Sequence, residues 1–424
     1  MLTPSPSAQR LVTRLEAEGQ PFLDAVVQAM IDGRIRDTTL LAVCPTSRAV
    51  VRAVLRVAER VAMPALFAAT LNQVDRTPTG APGYTGWTPA ALVAVIREEA
   101  TALGVTVPIG PCLDHGGPWL TAAHAGLGFD AAMDAANGSL EAALDAGYVL
   151  LHLDATGSRD KEAVPPAVAV ARTLDLLAHA EAYRSAQGLP PVAYEVGTEE
   201  IQGGLADEAA FAQFLADLHA GLHDRGLAHA APCFVVGQVG TLLTTDRFDA
   251  DKAAALTARA RAFGALVKGH DTDFVAHPEA YPASGMGAAN LGPECTAAEY
   301  AALLDLAALE GERLPPTSTE ASGIERVVFE AVEAHPHWRK WLGADERGAR
   351  LADLAPERQR WIVATGVRYV WTHPAVATAR AALFANVAAA CDPDAVVDQR
   401  IEAVVKRYAD AFALPGLCER LARV

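Results

Sequence analysis

Positive charge is scarce in this sequence: 35 Lys and Arg stand against 51 Asp and Glu in 424 residues, a formal net charge of -16 at pH 7. Neutralising a phosphate backbone takes a dense Lys/Arg face, so nucleic acid is disfavoured as a partner. Cysteine is sparse as well. The six thiols (Cys44, Cys112, Cys233, Cys295, Cys391, Cys418) show neither a CxxC pair nor metal-finger spacing, and are expected free and mostly buried. No apolar run reaches the ~20 residues of a membrane-spanning helix. Met1–Arg14 lacks the positive start and apolar core of a signal peptide, so a cytoplasmic protein with no membrane partner is expected. Fingerprints of other chemistries are also missing. Gly285-Met286-Gly287 does not extend to GxGxxG, there is no GxxxxGK(S/T) loop or G-x-S-x-G elbow, and His219, His223 and His229 have no HExxH glutamate.

What the chain does have is apolar mass, 51% hydrophobic against 20% charged residues, enough to bury a sizeable core. Short apolar runs suited to buried parallel strands occur at Thr39–Val43, Ala65–Ala69, Pro108–Cys112, Val149–Leu153, Val192–Val196, Cys233–Val236 and Ala265–Val267. They alternate with helical stretches such as Thr88–Leu103, Phe129–Ala146, Ala167–Gln187, Ala209–Leu227 and Asp251–Phe263. With an eighth strand at Gly287–Leu291, these units predict an α/β fold, a (β/α)8 TIM barrel over residues 1–310. An open doubly wound sheet is the competing layout. After Glu310 the βα pattern stops, and residues 311–424 are expected to form a helical C-terminal extension.

Chemically capable residues follow the apolar runs, where barrel enzymes place their active sites. Asp114-His115-Gly116-Gly117-Pro118 joins a potential ligand to a carboxylate able to move protons, although an Asp-His pair alone also suits a structural histidine. Glu195 and Glu199, in Tyr194-Glu195-Val196-Gly197-Thr198-Glu199-Glu200, are candidate metal ligands, the rival reading being acids at a helix N-terminus. Lys268-Gly269-His270-Asp271-Thr272-Asp273 repeats the imidazole flanked by carboxylates. Two histidines and a carboxylate converging at a barrel mouth would leave coordination positions open. Asn72, Gln73, Tyr84, His152, Asp154, Gln238 and Asn290 are candidates for orienting sugar hydroxyls, with turn formation or capping as the alternative.

Taken in order, several motifs resemble the accessory (non-catalytic) subunit family of class II D-tagatose-1,6-bisphosphate aldolases, including its ketose-6-phosphate 4-epimerase relatives. They are Ala69-Thr70-Leu71-Asn72-Gln73-Val74, Gly83-Tyr84-Thr85-Gly86-Trp87-Thr88-Pro89, Asp114-His115-Gly116-Gly117-Pro118, His152-Leu153-Asp154-Ala155, Gly197-Thr198-Glu199, His270-Asp271-Thr272-Asp273, Gly292-Pro293 and Arg368-Tyr369-Val370-Trp371-Thr372-His373. The resemblance implies a divalent metal, zinc or alternatively manganese, with His115 and His270 as ligands, Asp114 as acid/base, and Glu195 or Glu199 completing the site. Glu199, Asp271 and Asp273 join Asp114 as catalytic candidates.

Departures from that pattern are Gln238 at the place of a third aldolase histidine, Asp271 for Ser, Glu200 with Ile201-Gln202 for a Pro-containing turn, and Asn290 and Glu294 for a Lys and a small residue. Glu294 is thereby also a substrate-site candidate, and a phosphate clamp at this strand loses support. The expected function is metal-dependent C4 epimerisation of a ketose or ketose 6-phosphate of the tagatose/fructose type, with aldolase chemistry second. A non-catalytic stabilising subunit of a class II aldolase is the alternative, and a sugar-binding regulator is a third possibility. A sugar substrate, self-association into a homo-oligomer and an aldolase catalytic partner are the expected interactions.

Overall fold

The computed structural model describes residues 19–76, 83–160, 162–197, 206–243, 247–314 and 318–423. The apolar runs form eight strands: β1 (Leu40–Val43), β2 (Ala65–Thr70), β3 (Ile109–Gly116), β4 (Leu150–Leu153), β5 (Ala193–Gly197), β6 (Phe234–Val236), β7 (Leu266–Gly269) and β8 (Ala288–Leu291). Each strand pairs in parallel with its sequence neighbour, and β8 returns to β1 through Leu40↔Ala288 to Val43↔Leu291. The sheet is a closed barrel, which rules out the open doubly wound layout. Strand residues are buried almost without exception, because side chains fill the interior while helices cover the outside.

Through the barrel the helices are α1 (Phe22–Ile31), α2 (Arg48–Val61), α3 (Pro89–Leu103), α4 (Phe129–Asp145), α5 (Pro166–Ala186), α6 (Glu208–Asp224), α7 (Ala250–Arg261), α8 (Ala280–Ala283) and α9 (Pro293–Arg313). Four of their starts are written in the sequence. Ser47 accepts the Val50 N–H at 3.1 Å and Thr88 that of Ala91 at 3.3 Å, while Asp207 and Asp249 do the same for Ala210 and Lys252 at 2.7 and 2.8 Å. Such caps turn the chain from strand end into helix, leaving the loops at the C-terminal mouth free to carry polar groups.

The extension contributes α10 (Ile324–Ala334), α11 (Pro356–Gly366), α12 (Pro374–Val387), α13 (Pro393–Ala411) and α14 (Leu417–Leu421). Helix α13 packs on α2 and α9. Arg52 bridges to Asp398 at 2.6 Å and Asp394 at 2.9 Å, and Arg60 to Glu402 at 2.6 Å. Main-chain bonds extend the attachment: Thr39 N–H donates to Phe412 C=O at 3.2 Å, and Gly416 N–H to Val61 C=O at 2.7 Å. One continuous cluster of buried apolar side chains therefore runs from Leu23 to Leu421.

Candidate active site

Strand register gathers the polar side chains. His152 on β4 and Glu195 on β5 are direct Cα partners. Asp114 ends the paired stretch of β3 opposite Thr70. Lys268 lies on β7 two residues before His270, so strand alternation gives both the same face. Asn290 occupies the corresponding level of β8.

Four donor atoms face one another there. Asp114 Oδ1 is 3.3 Å from His152 Nδ1 and 3.4 Å from His270 Nε2, while Glu195 Oε1 is 3.8 Å from His152 Nδ1 and 3.2 Å from His270 Nε2. Ligands about 2.0–2.1 Å from a tetrahedral metal stand about 3.3–3.4 Å apart, so the cluster already has nearly that spacing. All four side chains are buried, and their ligand atoms lie within 4.8 Å of one another. The backbone N–H of His115 donates to His152 Nδ1 at 3.1 Å, so a cation bound at this nitrogen would take the place of that hydrogen bond. Among the described residues, His152 Nε2 and Asn290 Oδ1 are buried polar atoms with no hydrogen-bond partner. Asn290 adjoins the cluster through its amide bond to Asp114, and a small polar occupant there would meet its free Oδ1. The donor set therefore fits a divalent cation.

Two further groups complete the charge pattern. Lys268 Nζ lies 2.5 Å from Glu195 Oε2 and 3.9 Å from Asp114 Oδ1, and Asn290 Nδ2 donates to Asp114 Oδ2 at 3.0 Å. Burial opposes ionisation of Asp114, but His270, His115 and Lys268 outweigh it and hold the carboxyl well below its ordinary range. Glu195 meets the same opposition, and Lys268 with His152 and His270 brings it down to about 2. For Lys268 burial disfavours the ammonium, yet the Glu195 and Asp114 charges raise its pKa.

His115 belongs to an adjoining pair. A bulge between Leu113 and Gly116 and a φ of +51° at His115 break the alternation of β3. The ring places Nδ1 2.7 Å from Asp154 Oδ2. Asp154 Oδ1 in turn accepts the Thr156 N–H at 3.0 Å and its hydroxyl at 2.5 Å. Burial raises the Asp154 pKa, but His115, His152 and Thr156 drive it far below normal. Asp154 is 2% exposed and His115 26%, so the imidazole is the partner that reaches towards solvent. Its ring centroid is 4.7 Å from that of His270 and 5.0 Å from that of His152.

Other predicted residues lie elsewhere. Glu199 falls outside the described residues. Asp273 is buried below α9, where its Oδ1 accepts the N–H groups of Gly292 at 3.0 Å and Glu294 at 2.7 Å. Glu294 accepts the Phe274 N–H at 2.6 Å and pairs with Arg407 at 2.7 Å and the Tyr408 hydroxyl at 2.8 Å. Asp271 is exposed, with φ +51°. Asn72 donates to Leu120 C=O at 2.9 Å, and Gln73 Oε1 accepts the Thr70 N–H at 3.1 Å, both within the loop structure around the mouth. Tyr84 and Gln238 are half-buried after β2 and β6. Lys268 was not among the expected site residues. Its signal was a lysine inside an apolar run, in phase with His270.

Fold and site together define a (β/α)8 barrel protein with a candidate divalent-metal centre at its strand ends. More particularly, the chain belongs to the GatZ/KbaZ-like D-tagatose-1,6-bisphosphate aldolase subunit family, whose model matches residues 25–412. A protein from Sinorhizobium meliloti 1021 described as a probable tagatose 6 phosphate kinase is similar in structure, with 25% identity, a TM-score of 0.69, and coverage of 91% of this chain and 96% of its own. A fructose-bisphosphate aldolase from Campylobacter jejuni matches at 11% identity and a TM-score of 0.46, over 81% of this chain and 90% of its own. Membership of this family and the buried Asp-His-Glu-His cluster support a metal-associated role in sugar processing. No helix among the described residues is long and apolar enough to cross a membrane.

Proposed function

We propose that the protein interconverts ketoses or ketose 6-phosphates of the tagatose/fructose type at C4, using a divalent cation, zinc or manganese, held by Asp114, His152, Glu195 and His270. The observation that carries this reading is the buried four-donor cluster beside the His115–Asp154 pair. When bound, the cation would draw electron density from the C2 carbonyl and C3 hydroxyl oxygens of the sugar. His115, oriented by Asp154, is the group proposed to take the proton of the C4 hydroxyl. The C4 oxygen then becomes an aldehyde as the C3–C4 electron pair moves to C3. Rotation of that aldehyde and re-addition of C3 to its other face, with His115 returning the proton to the C4 oxygen, inverts C4 with atoms and charge conserved. This arrangement exchanges the roles expected of Asp114 and His115. Lys268 keeps Glu195 ionised, and Tyr84 and Gln238 at the mouth are proposed to meet sugar hydroxyls. Glu199 is retained as a further candidate ligand or acid.

The family description favours a second reading, a subunit that stabilises a class II aldolase catalytic chain without turnover of its own. Protein loaded with zinc or manganese is incubated with tagatose 6-phosphate, fructose 6-phosphate and the free ketoses, and the products are separated. The first reading predicts C4 epimers, together with loss of bound metal in His152→Ala and His270→Ala. If metal-loaded protein converts none of them and instead lengthens the life of an aldolase chain, the second reading replaces the first.

A further inference from the structure

Barrel enzymes commonly hold phosphate after strands seven and eight, at a helix N-terminus whose free N–H groups attract anions. In this chain a carboxylate fills that place. Asp273 accepts the N–H groups of Gly292 and Glu294 at the start of α9, and Glu294 packs beside it on Arg407 and Tyr408. A second anion there would meet two acids and no open donor from those residues.

Cationic groups gather instead on the extension. Arg368 is 7% exposed, and its guanidinium donates to Thr365 C=O at 2.7 Å and the Tyr369 hydroxyl at 3.2 Å. Lys340 Nζ donates to the same hydroxyl at 3.1 Å. Among the described residues, neither cation forms an ion pair. Asp273 acts on Arg368 only through space. Aromatic faces support both: Arg368 lies 4.8 Å from the Tyr369 ring centroid and 5.3 Å from that of Trp341, and Lys340 lies 5.5 Å from each. A buried guanidinium without a carboxylate is costly unless an anion completes its surroundings. Its planar fork of donors matches a phosphoryl group.

This cluster borders the barrel mouth. The rings of Tyr84, from the loop after β2, and Tyr369 meet edge-on at 4.8 Å, and the Thr372 hydroxyl donates to Tyr84 C=O at 3.2 Å. Tyr84 thus joins the extension to the loop that follows β2, at the strand end where the candidate metal cluster lies.

We infer that Arg368, Lys340 and Tyr369 form an anion subsite that receives the phosphoryl group of a ketose phosphate while the far end of the sugar lies over the Asp114–His270 cluster. Phosphorylated ketoses are then the preferred substrate class, and the extension supplies that preference. The substrate assignment rests on the proposed function, but the binding of phosphate does not.

Calorimetric titration of the full-length protein with inorganic phosphate, alongside kinetics on tagatose 6-phosphate and free tagatose, separates the two. Arg368→Gln should weaken phosphate binding about 10- to 100-fold, as expected for lost charge-assisted hydrogen bonds, and reduce the preference for phosphorylated over free ketose by a similar factor. Lys340→Gln, on the exposed side of the cluster, should act in the same direction and guards against misfolding of the buried variant. Phosphate binding unchanged in Lys340→Gln and in folded Arg368→Gln overturns the subsite, as does a wild-type protein that binds no phosphate at millimolar concentration. Arg368-dependent phosphate binding without turnover of any ketose upholds the subsite while ending the epimerase reading. Turnover with no preference for phosphorylated sugar does the reverse.

Discussion

Replacing Lys268 by Met tests how the site balances its charges. Nζ of Lys268 and Oε2 of Glu195 are 2.5 Å apart, in side chains 1% and 0% exposed. At that separation the attraction is about 7 kcal/mol, even with an effective dielectric constant of about 20. Desolvation of both ions offsets much of it. Removing only the ammonium leaves a buried carboxylate undercompensated, which costs about 3–5 kcal/mol. Methionine keeps the length of the lysine stem, so packing is a minor part of that loss. A divalent cation on the other face of Glu195 would restore positive charge, and should reduce the loss to about half of its value in chelator. Denaturant unfolding of wild type, Lys268→Met, Glu195→Gln and the double variant, each with chelator and with saturating zinc, gives the cycle. The double variant should recover at least about 1–2 kcal/mol of the summed single losses. A Lys268→Met loss below about 1 kcal/mol in chelator, or an equal loss with and without metal, would refute the charge-balance argument.

Three further outcomes follow from the geometry. Asp154→Asn should lower kcat by about 10²- to 10⁴-fold while bound metal, measured by atomic absorption, stays at the wild-type level; metal loss would instead make Asp154 part of the binding shell. Asp273 is pushed up to about 7 by burial, against backbone donors that favour its ionised form. The folded protein therefore holds a proton that the unfolded chain has already released, so stability is greatest below the unfolded pKa and is lost as pH rises through about 7. Asp273→Asn should remove that slope, gaining about 2–3 kcal/mol on wild type between pH 5 and 8, and a gain independent of pH would contradict it. At Gly117 an added Cβ would stand 1.7 Å from the Asp154 carbonyl oxygen. Gly117→Ala should therefore destabilise by more than about 3 kcal/mol, and a variant as stable as wild type in urea would show that the loop yields easily.

The barrel was legible because short apolar runs alternate with helical stretches, and closure followed once an eighth run was counted. Boundaries were less legible. The third run was expected to end at Cys112, but pairing continues to Gly116, because polar residues at a strand's end still form ladder bonds while their side chains turn inward. His152 was expected to contact sugar hydroxyls, and the Glu195 register partnership instead places it among the candidate metal donors. The orientation of His115 could not be read, since alternation has no symbol for a residue at φ +51°. Equally, nothing local in the sequence indicates that Tyr369 meets Tyr84 from the far end of the chain.

That long-range contact orders events during synthesis. A ribosome that has completed β8 has already made Asp114, His152, Glu195 and His270, yet still has residues 311–424 to add. Arg368 and Tyr369 arrive late, and the Phe412 carbonyl that accepts the N–H of Thr39, just before β1, arrives later still. The emerging chain thus has its candidate metal donors well before the rim beside Tyr84, and a message truncated after the barrel would encode that cluster with one wall missing.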